Sequence, residues 1–204
     1  MESFSFSIFV TLKQFVPPIL RFGQGPYYIE VEILLKGISR FFTLQTVATD
    51  IMHHTVYVFM DMVDRKVWDN STFVHNQDHV LDISPISSGE KMLEVRKLAF
   101  PEHSEEHLHE QNTLAFSGIG PEMYLNLKNN SEMHGQGGDG NPCFAKVVIG
   151  LSTMSSLKAT SAEIRNDDIK TSTTLIKSMK IVEISDKRLI QYGIVKHTRS
   201  LRKN

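Results

Sequence analysis

Between Tyr28 and Leu35 apolar and polar positions take turns: Ile29, Val31, Ile33 and Leu35 interleave with Tyr28, Glu30, Glu32 and Leu34. A period of two is the mark of a half-buried strand. Gly37 signals a turn, and RFFTLQTV (40–47) supplies the returning arm of a hairpin. The period then changes. Thr49 or Asp50 offers an N-cap to IMHHTVYVFMDMVDRKVW (51–68), where Met52, Val56, Phe59, Met60, Val63 and Val67 recur at helical spacing. Asp61, Asp64, Arg65 and Lys66 occupy the other face, so a helix of about four turns packed on one sheet is predicted.

STFVHN (71–76) and HVLDISPI (79–86) read as two short strands. From Ser87 to Asn112 the pattern weakens: KMLEVRKLAF (91–100) could hold a strand, whereas PEHSEEHLHEQN (101–112) has no apolar period and reads as a solvated loop. Three apolar runs follow, LAFSGIG (114–120), MYLNL (123–127) and CFAKVVIG (143–150), the first two split by a Gly-Pro turn and the last two by a polar, glycine-rich excursion. LSTMSSLKATSAEI (151–164) predicts a short helix, TLIKSMKIVEIS (174–185) a closing strand, and KHTRSLRKN (196–204) a basic tail. About eight strands, mostly joined by turns, favour a mainly β antiparallel barrel or sandwich capped by helices over an alternating parallel fold.

At 204 residues the chain suits one domain with appendages. An apolar fraction of 41% with 22% charged residues is that of a soluble globular protein, and a net charge of -1 argues against nucleic acid or an acidic membrane surface as partner. The single Cys143 excludes an intrachain disulfide and a multi-cysteine zinc site. FSFSIFVTLKQFVPPIL (4–20) has the apolar character of a targeting or truncated anchor segment, but Lys13, Pro17 and Pro18 interrupt it and it falls short of the roughly 20 apolar residues of a membrane span. The alternative is a tail or extra strand packed on the domain. Asn70 and Asn129 head glycosylation sequons that matter only in the secretory pathway, and the compartment stays open.

His103, His107 and His109 lie among four glutamates; on a helix the first two would share a face and could hold zinc or copper, but no other ligand cluster supports them. The reading is therefore an exposed loop, with no metal and no cofactor. GQGGDG (135–140) lacks the lysine and hydroxyl of a phosphate loop and is read as a connection, Asp167 and Asp168 as solvated carboxylates, and Cys143 as a buried small hydrophobe rather than a nucleophile.

Four segments in a shared order carry a family resemblance. MHHTVYVFMDMVDRKVWDNSTF, LAFSGIGPEMYLNL, NPCFAKVVIGLSTM and TLIKSMKIVEIS resemble, in turn, the first helix and its exit strand, the "L-S-M-A … G-S-Q-F-F-I" segment, the "V-F-G-K-V-x-x-G" segment and the last strand of the cyclophilin-type peptidyl-prolyl isomerases. Trp68, Phe116 to Pro121 and His134 to Gly138 are similar to a divergent group of cyclophilin-like proteins from some algae and diatoms. The resemblance covers Tyr27 to Ser185. It implies a cyclophilin-like closed eight-stranded antiparallel barrel capped by two helices, flanked by a tail or targeting remnant (1–26) and a basic tail (186–204).

Active members of that family use an arginine to hydrogen-bond the prolyl nitrogen, lowering a barrier of roughly 18–20 kcal/mol. Counted from Phe73, the arginine position falls here on His75, the first pocket phenylalanine on Val80, the pocket methionine on Leu81 and the glutamine on Ile83. The substrate-binding alanine and asparagine fall on Ser117 and Gly118, and the paired phenylalanines on Met123 and Tyr124. The tryptophan falls on Glu132, the pocket leucine on Met133 and the pocket histidine near Gly137. With the arginine and most polar groups replaced, the resemblance implies a degenerate site: a peptide- or protein-binding module with Leu81, Ser117, Tyr124 and Met133 as its contacts, little or no isomerase activity, and a monomeric state. The alternative is a weak isomerase with a rearranged site around His75 and Tyr124. A third is an accessory domain within a larger secretory-pathway protein.

Overall fold

A computed structural model describes residues 18–76, 78–85, 95–134, 140–164, 174–185 and 191. Eight strands form a closed barrel: β1 (Tyr28–Leu35), β2 (Ile38–Thr46), β3 (Ser71–Asn76), β4 (Val80–Ser84), β5 (Thr113–Phe116), β6 (Met123–Asn126), β7 (Cys143–Ile149) and β8 (Leu175–Val182). Around the barrel the order is β1-β2-β7-β5-β6-β4-β3-β8, and β8 closes it by pairing with β1 and β3. Every pairing is antiparallel. The helices are α1 (Pro18–Phe22), α2 (His53–Asp64), α3 (Ser131–His134) and α4 (Leu151–Ile164). α2 packs against β8 and α1, and α4 against β2 and β3. The two expected helices are α2 and α4; α1 and α3 are short additions.

The alternation in β1 is realised residue by residue, with Ile29, Val31, Ile33 and Leu35 buried. Phe59 of α2, Phe116 and Phe144 meet in the interior, ring centroids 4.8 Å apart for Phe59 and Phe144 and 4.9 Å for Phe116 and Phe144. Burial of such rings is the main stabilising term of the fold. α2 stops where Lys66 takes φ 58: the amides of Lys66 and Val67 then turn back onto the carbonyls of Val63 and Met62, which satisfies the last turn.

Three expectations change. The N-terminus of α2 is capped by neither Thr49 nor Asp50; Met52 stands at the cap without a side-chain bond, and Glu102 accepts from the amides of His54 (3.2 Å) and Thr55 (2.7 Å) instead. The supposed polar face of α2 is largely covered, since every residue from His54 to Val63 is buried, Asp61 at 0% exposure included. Its carboxylate meets Arg21 of α1, Arg65 and Arg96, the last with Nε 3.1 Å from Oδ2, while Arg21 also reaches Asp64 at 2.8 Å. Arginines from two neighbouring segments thus compensate a charge that burial would otherwise penalise.

The third change concerns the connection before β5. Residues 95–98 form no strand, and 91–94 lie outside the described residues. The segment 101–112 is not a free solvated loop but part of a strap (95–112) bound down at several points. Leu98 N donates to Ile119 O at 2.8 Å, Ala99 N to His54 Nε2 at 2.8 Å, and Asn130 N to His109 O at 2.8 Å. At the chain's start, residues 1–17 lie outside the described set, and Pro18–Phe22 is a helical turn joined to α2 through Arg21. Of the basic tail only Gln191 is described. Among the described residues no helix is long and apolar enough to cross a membrane.

Candidate functional site

The pleat of β4, β5, β6 and β7 sends two sets of side chains to opposite faces. Leu81, Ile83, Leu114, Phe116, Met123, Leu125 and Phe144 join the main core inside the barrel. Val80, Ala115, Tyr124 and Cys143 form a second, smaller apolar cluster on the outer face. Register explains why these meet: Tyr124 pairs with Asp82 on one side and Ala115 on the other, and Ala115 pairs with Cys143. An outer face lined by a tyrosine, small residues and a thiol is a shallow apolar seat.

The strap fills that seat. His109 is 0% exposed, its ring nearly parallel to that of Tyr124 (15°, centroids 5.9 Å apart). Its Nε2 lies 3.0 Å from the carbonyl of Asn141, which can only accept, so this nitrogen carries the proton. Nδ1 is then the acceptor and takes the Tyr124 hydroxyl proton at 3.2 Å. That hydroxyl in turn accepts from Asn141 Nδ2 at 3.0 Å, closing a ring of three bonds through His109, Tyr124 and Asn141. Asn141 Oδ1 holds the Gly118 amide at 2.8 Å.

A second tier supports the ring. Asn126, also buried, donates to Thr113 Oγ1 at 2.9 Å, and Asn130 donates to Asn126 Oδ1 at 2.7 Å and to the His79 carbonyl at 3.0 Å. Thr113 Oγ1 donates to Glu110 O at 2.8 Å, and the Cys143 thiol to Leu108 O at 3.3 Å. Beside the ring, His134 of α3 stacks on His79 (centroids 5.5 Å) and lies 5.3 Å from Tyr124 and 5.9 Å from His109.

The electrostatics of the seat favour neutral groups. Burial holds the His109 imidazole down to about 4, against a smaller upward pull from the Asn141 carbonyl. Burial pushes the Tyr124 phenol above its ordinary value and the Cys143 thiol up to about 11. Burial and the neighbouring His79 hold His134 down. At neutral pH the ring of His109, Tyr124 and Asn141 is therefore uncharged, with Asp82 beside Tyr124 adding to the rise of its phenol, and Cys143 is a buried thiol whose raised value disfavours the thiolate. Among the described residues no group of three or more metal-ligating side chains could hold an ion.

No protein-family model matches the sequence, and no curated protein matches it significantly. Solved structures do match the architecture. A cyclophilin type peptidyl-prolyl cis-trans isomerase from Cryptosporidium parvum superposes with TM-score 0.58 at 10% identity, covering 78% of this chain and 99% of its own. The same protein in the presence of the dipeptide Ala-Pro gives TM-score 0.58 at 11% identity, covering 77% and 99%. A cyclophilin from Hirschia baltica gives 0.53 at 9% identity, covering 79% of this chain and 76% of its own. The chain has the cyclophilin fold.

Within that fold the residues singled out from sequence are placed differently from one another. Tyr124 is the centre of the outer seat. Leu81 points into the barrel and is fully buried in the core, one pleat away from the outer face, so a peptide lying on that face does not reach it. Ser117 is exposed in the turn between β5 and β6, where its amide donates to Glu122 O at 2.9 Å, and it joins the seat indirectly through the neighbouring Gly118–Asn141 bond. Met133 is 65% exposed on α3, next to His134. His75 lies in β3 with its backbone paired to Asp82; its side chain is outside the described residues, as is Gly137.

Sequence reasoning placed His109 in an exposed loop and missed its buried role, and it missed those of Asn126, Asn130 and Asn141. The available signal was compositional: asparagines within the MYLNL run and flanking the glycine-rich excursion are poor strand formers, and their presence in or beside apolar runs marks buried polar work.

Proposed function

We propose that this cyclophilin-fold chain is a monomeric peptide- or protein-binding module with little or no prolyl isomerase activity. The carrying observation is the uncharged, self-satisfied seat on the outer face of β4, β6, β5 and β7, centred on Tyr124 and Asn141. Isomerisation in the family that the sequence resembles relies on a guanidinium aimed at the prolyl nitrogen. The corresponding position here is His75, whose side-chain type has shorter reach, lacks the guanidinium fork and is mostly neutral at neutral pH. The four described arginines are placed elsewhere: Arg21, Arg65 and Arg96 on Asp61, and Arg40 in β2.

Binding needs less than turnover does. Backbone hydrogen bonds and a shallow apolar seat are the ordinary means of holding an extended peptide, and the Cryptosporidium parvum neighbour was solved in the presence of a dipeptide, Ala-Pro. Ser117 and Met133, both exposed on the edges of the seat, are proposed as contacts. A protease-coupled isomerase assay on a proline tetrapeptide tests the reading. Rates equal to the uncatalysed rate are expected; turnover abolished by His75→Ala would establish the weak-isomerase alternative.

A further inference from the structure

His109 is buried between exposed neighbours. Glu105, Glu106, Leu108, Glu110 and Gln111 face solvent, and His107 is half-buried, yet the imidazole between Leu108 and Glu110 is wholly enclosed. Leu98, at the start of the strap, joins the main core, but between Pro101 and Asn112 the one buried side chain is the polar ring of His109, while the apolar Leu108 beside it stays 40% exposed. The backbone there is held as a bound peptide's is, with Leu108 O accepting from the Cys143 thiol and His109 O from the Asn130 amide. The receiving groups come from other elements: Tyr124 from β6, Asn130 from the start of α3, and Asn141 and Cys143 from the entry to β7.

We infer that Leu108–His109–Glu110 occupies the peptide site in cis, and that the site takes peptides presenting a neutral imidazole on an extended backbone, in competition with the strap. The inference rests on the peptide-binding reading above and adds its ligand class and its regulation. Specificity follows from the hydrogen bonds. Asn141 O requires a donor and the Tyr124 hydroxyl an acceptor, and a neutral imidazole offers one of each in the right places. A proline side chain offers neither, which would leave the Asn141 carbonyl without a donor and the Tyr124 hydroxyl proton without an acceptor. An external ligand meets a site open only for the fraction of time the strap is displaced, so its apparent affinity is reduced by that fraction.

The test uses the full chain and a fluorescein-labelled peptide copying Glu106 to Asn112 (EHLHEQN), titrated by anisotropy. His109→Ala, which empties the seat, is expected to bind this peptide at least about tenfold more tightly than the wild type. A version of the peptide with proline in place of its second histidine should bind more weakly, and adding Tyr124→Phe to the His109→Ala protein, which removes the hydroxyl that donates to the imidazole Nδ1, should weaken binding of the histidine peptide toward that of the proline version. Equal affinity of wild type and variant would overturn the inference while leaving peptide binding intact. No binding by a folded variant would overturn the inference together with the reading beneath it. Should His109→Ala not fold, native-state hydrogen exchange on the wild type decides. The Asn130 amide, which the strap holds, is expected to exchange through a local opening much faster than the Leu125 amide of β6. Exchange of both only through global unfolding would make the strap a permanent part of the core and overturn the inference.

Discussion

Glu102 Oε2 stands 2.7 Å from the backbone nitrogen of Thr55, so a residue of the strap caps the first turn of a helix that precedes it by 47 positions. The cap does two things at once. It satisfies amides that α2 leaves open at its N-terminus, and it places a carboxylate at the positive end of the helix dipole.

Glu102→Ala is therefore expected to lower stability by about 1–2 kcal/mol, and Glu102→Gln by less, since an amide oxygen keeps part of the hydrogen bonding without the charge. Urea unfolding curves of the three proteins measure this. Equal midpoints for wild type and Glu102→Ala would show that the contact contributes nothing.

Stability should also fall in mild acid because of His109. The groups facing it are Tyr124 and Cys143 from the sheet, His134 from α3 and His103 from the strap, and none supplies a negative charge at that pH. Its folded value of about 4 lies below the ordinary imidazole value of 6.5, so the unfolded chain takes up the proton first. The contribution is complete above pH 6.5, shrinks as pH drops from there to about 4, and is lost below, by up to about 3 kcal/mol. Unfolding free energies of wild type and His109→Gln across this window check it: the difference in slope between them isolates His109, and parallel curves would contradict the assignment.

At Asp61 the expected cost is larger than at its neighbour. Asp61→Asn leaves Arg21, Arg65 and Arg96 crowded together without their buried counter-charge, for a loss of about 2–4 kcal/mol. Asp64, whose side chain is 51% exposed, pairs with Arg21 at the surface, so Asp64→Asn should cost under about 1 kcal/mol. Thermal unfolding of the two variants gives the ranking directly.

Gly150 separates two kinds of glycine. It has φ +87, and a Cβ there would lie 2.6 Å from Phe41 O and 2.8 Å from Phe42 Cα, both backbone atoms that cannot yield cheaply. Gly118 also has positive φ (+58), but nothing lies within 4 Å of its Cβ position. Gly150→Ala should thus lose more than about 2 kcal/mol, and Gly118→Ala about 1 kcal/mol from backbone strain alone. Circular-dichroism melts of both variants suffice to compare them.

The barrel was legible wherever one face of an element is apolar and the other is not. Ile29, Val31, Ile33 and Leu35 announce β1 because each points the same way into one core. Leu81 meets the same rule from the other side: successive residues of β4 face opposite sides of the sheet, so of two neighbouring positions only one reaches the outer face, and Leu81 takes the inner one. Val80, next to it, is the residue that reaches the outer cluster. His109 was illegible for another reason. Its burial depends on Tyr124, 15 residues away, and Asn141, 32 residues away, and polar groups that satisfy one another across such distances leave no periodic trace in the chain. Asp61 is similar, since the arginines that make its burial tolerable come from before and after its own helix as well as from within its last turn.

β8 lies between β1 and β3, with Ile176 paired to Ile33 on one side and to Ser71 on the other. During synthesis the first seven strands therefore leave the ribosome with two open edges, on β1 and β3, that nothing earlier in the sequence can cover. Until Leu175–Val182 emerges, the nascent chain presents a pair of unpaired strands flanking an incomplete core, the kind of surface that recruits chaperones or neighbouring chains. Pairing of β8 with β1 and β3 is what turns an open sheet into a cylinder with no edge left to offer.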